Sequence, residues 1–289
     1  MYKKSYFELY GYEHRERRFT ALQKRHHPII QAMQCSHEEN QRALTAVCEA
    51  LETRGIPYDC IYRGELKDTT GYDLLLSVGG DGTLLEVARH AGNTPVLGVN
   101  SDPIRSTALF CATDRTKITQ CVDALLAGTL RQVPLSRLQI AINNTTLPHY
   151  ALNDLLIAHS NPATMASYTL RLDAISEPQR SSGLWISTAA GSTAAIRAAG
   201  GRVMPLRSRQ RQYLVREPYM GDGQRYQLLK GLVPPDLPLE VTIRMRRGRL
   251  FIDGPHLRYA LGLGDVLSVG LAPTPLRLIG LDTTRRQRF

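Results

Sequence analysis

The sequence predicts an α/β chain whose first half alternates strands and helices and whose second half is mostly β. Three observations carry this. A strand, a glycine turn and a helix follow one another without a break in DLLLSVGGDGTLLEVARHA, residues 73–91. A second apolar run, PVLGV at 95–99, follows that helix at the spacing of a parallel crossover unit,. Beyond Pro134 the apolar residues change from helical spacing to strict alternation,.

Taken in order, residues 1–38 are polar, aromatic and basic. Tyr6, Phe7 and Tyr10 are candidates to dock on a core, His26, His27 and His37 read as surface residues, and no catalytic group stands out. Leu44, Val47, Cys48 and Leu51 recur at helical spacing, so a helix is expected over 39–54, with Gly55 closing it,. Tyr58 to Tyr62 reads as a strand and Asp73 to Val78 as the next, buried on both faces. Thr83 is taken to open the helix that carries Leu84, Leu85, Val87, Ala88 and Ala91. Ile118, Cys121, Val122, Leu125 and Leu126 share one face of another helix, ended by Gly128. In the second half Leu138, Ile140 and Ile142 alternate up to the turn signal Asn143-Asn144,. Tyr168 to Leu172 and Leu239 to Met245 alternate in the same way, Leu155 to Ala158 and Leu184 to Ile186 read as strands, and Val266 to Val269 and Leu276 to Ile279 complete the set.

Composition bounds the function. The chain has 289 residues and is 43% hydrophobic, enough for two domains with a core,. No apolar run reaches membrane-span length, and the N-terminal residues lack the apolar segment of a signal peptide. Five cysteines without a CxxC pair indicate neither a disulfide framework nor a zinc site, so a reducing cytoplasm is expected,. The net charge of +10 admits nucleic acid, but no zinc-finger spacing or RNA-binding signature accompanies it; a basic cleft for a phosphate-rich small molecule accounts for it as well,.

Two constellations point to chemistry. Gly79, Gly80 and Gly82 allow backbone angles closed to other residues and let a ligand approach bare peptide N–H groups at a helix start, which is an anion site. Asp81 is a carboxylate in a place suited to phosphate, so its expected use is to take a proton or hold a metal. In the second half, Asn153-Asp154 stands at a strand start, where an amide beside a carboxylate can read a ribose or an adenine edge. The stretch RSSGLWISTAAGSTAAIRAAGG, residues 180–201, follows, with small residues and an expected helix start at Ser192-Thr193 offering free N–H groups,. Asp253-Gly254 alone reads as a hairpin turn.

In this order GGDGT, Asn-Asp, STAAGSTAA…GG and IDG resemble the NAD kinase family over roughly residues 40–280. GVNSDP (98–103), ALND (151–154), SSGL (181–184) and REP (216–218) are most similar to its plant NADH kinase and mitochondrial branch. The resemblance implies a Rossmann-like α/β domain over 1–134 carrying the GGDG phosphate loop, a β-sandwich-like dinucleotide-binding domain over 135–275, and a C-terminal strand and tail over 276–289. It further implies a cleft site, a homodimer or homotetramer, ATP as donor with Mg²⁺ or another divalent cation, NAD or NADH as substrate, and no nucleic-acid or membrane partner. Carried over by position, Asp81 is the general base and Gly79, Gly80, Gly82 and Thr83 line the phosphate site. Asn153, Asp154, Arg180, Ser182, Gly191, Ser192, Thr193 and Ala194 fall on dinucleotide-contact positions. Asp154 stands where Glu is usual, and Ser182 where many members have Asp. The tail RRQRF matches no peroxisomal address. No Walker A sequence occurs, so a P-loop enzyme is not expected. Rival readings are a diacylglycerol- or sphingosine-type lipid kinase, which shares the GGDG loop, and a non-catalytic dinucleotide sensor.

Overall fold

The computed structural model describes residues 1–66, 68–221 and 225–283, so most of the tail lies outside the described residues. The described residues divide into two compact units: 1–133 together with 277–283, and 134–276.

The first unit is built on a mixed-order sheet. Strand Leu75–Gly79 pairs in parallel with Val96–Asn100, which in turn pairs in parallel with Cys111–Asp114 and with Leu276–Ile279; Gln132–Leu135 completes the sheet. Alternation puts Val78, Leu97 and Val99 on one face, where helices Pro28–Glu52 and Ile118–Leu126 cover them with Ala43, Val47, Leu51 and Val122,. Gly98 points to the other face. A Cβ there would stand 2.9 Å from Leu84, so its absence lets helix Asp81–His90 lie close on the sheet. Gly55 and Gly128 adopt φ of +63° and +65° just past their helices, as the sequence predicts,.

Three expectations change here. The helix expected over 39–54 begins eleven residues earlier, at Pro28, whose fixed φ suits a first helical turn,. His37 is half-buried, hydrogen-bonded to Ser5 and stacked on Phe7, whereas His26 and His27 are exposed. Phe7 does bury, with Phe19 and Ile30, in a small cluster of its own. Tyr58 to Tyr62 is not a strand: only Tyr62 makes a bridge, to Tyr2, before a short 3₁₀ turn. The edge position beside Leu75–Gly79 is taken instead by Met1 and Tyr2, for Val78 donates to the Met1 carbonyl at 2.8 Å.

The second unit is two six-stranded antiparallel sheets packed face to face. One runs Lys230–Val233, Arg211–Arg216, Gly183–Ser187, Asp154–His159, Gly248–Ile252, Leu257–Leu261. The other runs Thr145–Thr146, Leu138–Ile142, Val266–Leu271, Leu239–Ile243, Ala166–Leu172, Ile175–Ser181. Leu155, Ile157, Leu184, Ile186 and Leu250 from the first interleave with Ile140, Tyr168, Leu170, Val241 and Val269 from the second in one dry core,. Asn143 and Asn144 turn the first hairpin with φ of +50° and +65°, the conformation that selects Asn there.

Candidate active site

In the first unit the site is organised by Asp81. It is the first residue of helix Asp81–His90, so that helix starts two residues before Thr83. Its two carboxylate oxygens accept the peptide N–H groups of Leu109 and Phe110, each at 2.9 Å. An ionised carboxylate has about four lone-pair sites, so these bonds orient the group and leave acceptor capacity for a substrate proton. Its place in the first helical turn also favours negative charge.

The three glycines act by their size and not through unusual angles. None of them has a positive φ, and Gly80, with φ −106° and ψ −169°, is extended. A Cβ on Gly79 would stand 2.2 Å from the Thr83 hydroxyl oxygen, so Gly79 lets the helix fold back onto the end of its strand. A Cβ on Gly82 would meet nothing within 4 Å, so this exposed position is open to a ligand. The loop after the next strand braces the turn: Ser101 N–H donates to the Gly79 carbonyl at 3.1 Å, and the Asn100 amide to the Ser106 carbonyl at 2.8 Å. Beside the turn lies a cavity of about 250 Å³, lined in part by Gly80, Gly82 and Thr83. That is below the ~300–1,000 Å³ of pockets that enclose a whole small molecule, and suits phosphate groups.

In the second unit Asn153 and Asp154 sit where the chain enters strand Asp154–His159, and both are buried. Asp253 holds this entry. Its carboxylate accepts the N–H groups of Leu152 at 2.8 Å, Asn153 at 2.7 Å and Asp154 at 3.1 Å. Thr188 grips the carbonyl side, donating its hydroxyl to Leu152 at 2.6 Å and its N–H to Asn153 at 2.9 Å. With the backbone so fixed, the Asn153 side-chain oxygen is buried and has no hydrogen-bond partner among the described residues. A buried orphan acceptor costs free energy, and a ligand donor such as an amine or hydroxyl would relieve it. Burial, and secondarily the charge of Asp253, push the Asp154 carboxyl up to about 7. Near neutrality that group is therefore partly protonated, able to donate as well as accept.

Gly191 and Ser192 join this set. A Cβ on Gly191 would lie 2.1 Å from the Asn153 carbonyl oxygen, so only glycine lets the 190–193 turn close on it. Ser192 is spent on structure, donating to the Ala189 carbonyl and accepting the Met204 N–H. The helix start expected at Ser192-Thr193 is not there. A 3₁₀ turn, Ala190–Thr193, gives way at Ala194 (ψ −145°) to a single turn, Ala195–Ala198, too short for a helix dipole to gather anions,. Arg180 and Ser182 fall at another corner. Arg180 is exposed with its guanidinium 5.2 Å from the Tyr219 ring centre, and Ser182 donates its N–H to Arg216. Ser187 pairs with Asp154, so Ser182, five residues along, is about 16 Å away at ~3.3 Å per residue,.

Asp253 and Thr188 are the working residues that sequence reasoning passed over. An Asp-Gly turn with φ of +48° at Asp253 was visible only as a hairpin, because what its carboxylate holds lies a hundred residues upstream.

A glycine turn with a fixed carboxylate in an α/β unit, followed by a β-sandwich unit with an orphaned amide, is the architecture of a nucleotide-using kinase. Residues 11–125 match the family model described as ATP-NAD kinase N-terminal domain. The chain is 35% identical over 252 residues to a probable NADH kinase of Oryza sativa subsp. japonica, covering 79% of this chain and 78% of that one. It is 34% identical over 265 residues to an NADH kinase of Arabidopsis thaliana, covering 83% of each. Among solved structures, an NAD kinase from Archaeoglobus fulgidus in complex with ATP superposes with TM-score 0.67 at 19% identity, over 85% of this chain and 91% of that one. Yeast NADH kinase complexed with NADH gives 0.66 at 19%, over 75% and 64%. The chain belongs to the NAD kinase family, has its fold, and is a kinase.

Proposed function

We propose that the protein transfers the γ-phosphoryl group of ATP to the 2′-hydroxyl of the adenosine ribose of NAD or NADH, giving NADP or NADPH. The observation that carries this is the Asp81 carboxylate, held by two peptide N–H groups at the head of a helix beside a phosphate-sized cavity. A ribose alcohol is a weak nucleophile; Asp81 accepts its proton as the oxygen bonds to phosphorus and the bond to ADP breaks. Gly80, Gly82 and Thr83 receive the donor phosphates. Asn153 and Asp154 receive the dinucleotide's adenosine, the orphaned amide oxygen taking a donor hydrogen. The plant relatives and the solved complexes with ATP and NADH support the reading.

A divalent cation fits as part of the donor. Mg²⁺ is commonly held by one or two carboxylates together with substrate phosphates. Asp81 is such a carboxylate, and no cluster of three or more His, Cys, Asp or Glu suited to a metal occurs among the described residues. When bound, the ion neutralises triphosphate charge. The same reading makes the working form a cytoplasmic homo-oligomer. The five cysteines are free, and no described helix is long and apolar enough to cross a membrane.

The test is a coupled assay with ATP, Mg²⁺ and NAD or NADH, following NADP(H). Phosphorylation of diacylglycerol or sphingosine in its place would establish the lipid-kinase rival, and dinucleotide binding without turnover would establish the sensor.

A further inference from the structure

The cavity beside the glycine turn is closed on one side by the first residues of the chain. Met1 and Tyr2 lie parallel to strand Leu75–Gly79: the Met1 ammonium donates to the Leu76 carbonyl at 2.8 Å, Val78 donates to Met1, and Tyr2 bridges Val78. Continuing that register brings Lys3 level with Gly79, at the carboxyl end of the strand where open parallel sheets bind ligands.

Three cations line this cavity, Lys3, Lys4 and Arg63. Lys4 is paired with Glu13 at 2.5 Å and Arg63 with Glu86 at 3.1 Å. Lys3 is half-buried, and its ammonium has no hydrogen bond or ion pair among the described residues. The carboxylate whose charge acts on it is Asp102, which is already engaged by the Ser36 hydroxyl at 2.7 Å and by Arg105 at 3.1 Å. Burial pulls the Lys3 ammonium below its usual range, a cost that an arriving anion would offset,. A phosphate-sized cavity therefore has exposed glycine backbone on one wall and an uncommitted cation on another.

We propose that Lys3 binds the phosphate oxygens of the ATP donor in this cavity, as a positioning residue that the N-terminal segment supplies to the Asp81 site. The proposal rests on the reading of the chain as an ATP-using kinase. Lys3 supplies a point charge opposite the glycine turn, so the donor is held between peptide N–H groups and an ammonium while Asp81 meets the acceptor alcohol.

The experiment compares Lys3→Met, Lys3→Arg and the parent in two ways: steady-state kinetics with each substrate varied, and titration with inorganic tripolyphosphate, which needs no turnover. Thermal unfolding confirms that each variant is folded. Loss of one charge-assisted hydrogen bond should raise KM for ATP, and weaken tripolyphosphate, by about ten- to a hundredfold. KM for the dinucleotide should hold, and Lys3→Arg should recover most of the loss. Unchanged KM for ATP and unchanged tripolyphosphate affinity in folded Lys3→Met would overturn the proposal. A rise confined to the dinucleotide KM would overturn it too, by assigning the cation to the other substrate's pyrophosphate. A parent protein that binds tripolyphosphate through Lys3 but forms no NADP(H) would leave the anion site standing and overturn the proposed reaction instead.

Discussion

Asp81 and Asp154 are carboxylates set by opposite environments. Both oxygens of Asp81 accept peptide N–H groups, which fix the carboxylate's orientation. Asp81→Asn turns one of those acceptors into a donor facing an N–H, at a stability cost of about 1–3 kcal/mol. It also removes the base. Turnover should fall roughly a hundred- to ten-thousandfold while the folded variant still binds dinucleotide. A near-native kcat would return the carboxylate to a purely structural role. Asp154, raised to about 7 by burial and then by Asp253, holds its proton more tightly folded than unfolded. The native state therefore binds more protons between about pH 4 and pH 7, and stability falls as pH rises through that window. Asp154→Asn abolishes this dependence. Urea unfolding at pH 5 and pH 8 should show the variant gaining on the parent at the higher pH, by about 2–3 kcal/mol; parallel midpoints would mean the carboxyl titrates normally.

At the scale of elements, the glycines of the two turns have different work. Gly191→Ala drives a Cβ into the Asn153 backbone, so it should cost about 1–3 kcal/mol of stability and raise KM for the dinucleotide,. Gly82→Ala enters open space in a helix and should hold or raise stability by up to about 1 kcal/mol, yet weaken ATP by crowding the cavity wall,. Unfolding curves and KM for both substrates separate the two, and equal effects on stability would refute the distinction. Local pattern made much of this legible. The strand–GGDG–helix unit, the Asn-Asn hairpin and the Gly55 and Gly128 caps are written within a few residues of themselves. What was hidden depends on partners far away in sequence. Tyr58 to Tyr62 has strand-like residues, but Met1 and Tyr2 hold the adjoining edge. Ala194 breaks the expected helix because Gly191 and Thr188 tie the preceding turn to Asn153 and Leu152. Lys3 gains meaning only from its register beside Gly79.

At the scale of the whole molecule, the charge balance bears on which redox form of the dinucleotide is used. The chain carries +10, and NAD⁺ differs from NADH by a positive charge on the nicotinamide ring. The family resemblance puts Ser182 where many members place an Asp near that ring. Around Ser182, Arg180 lies over Tyr219 and Arg216 lies 5.9 Å from the Trp185 ring centre. Among the described residues the carboxylate at this corner is Glu217, exposed and 3.8 Å from Arg216, which it serves. A cationic ring bound at this corner would meet the guanidinium groups of Arg180 and Arg216. One missing unit charge at about 4 Å is worth ~1 kcal/mol in water and ~4 kcal/mol at an effective dielectric of 20, and exposure and salt keep it near the lower figure. NADH should therefore be used at least as well as NAD⁺, and Ser182→Asp should shift the ratio of kcat/KM toward NAD⁺ by about tenfold. The shift should shrink as salt is raised. A strong preference for NAD⁺ in the parent, or no movement in Ser182→Asp, would show that the ring does not sense this corner.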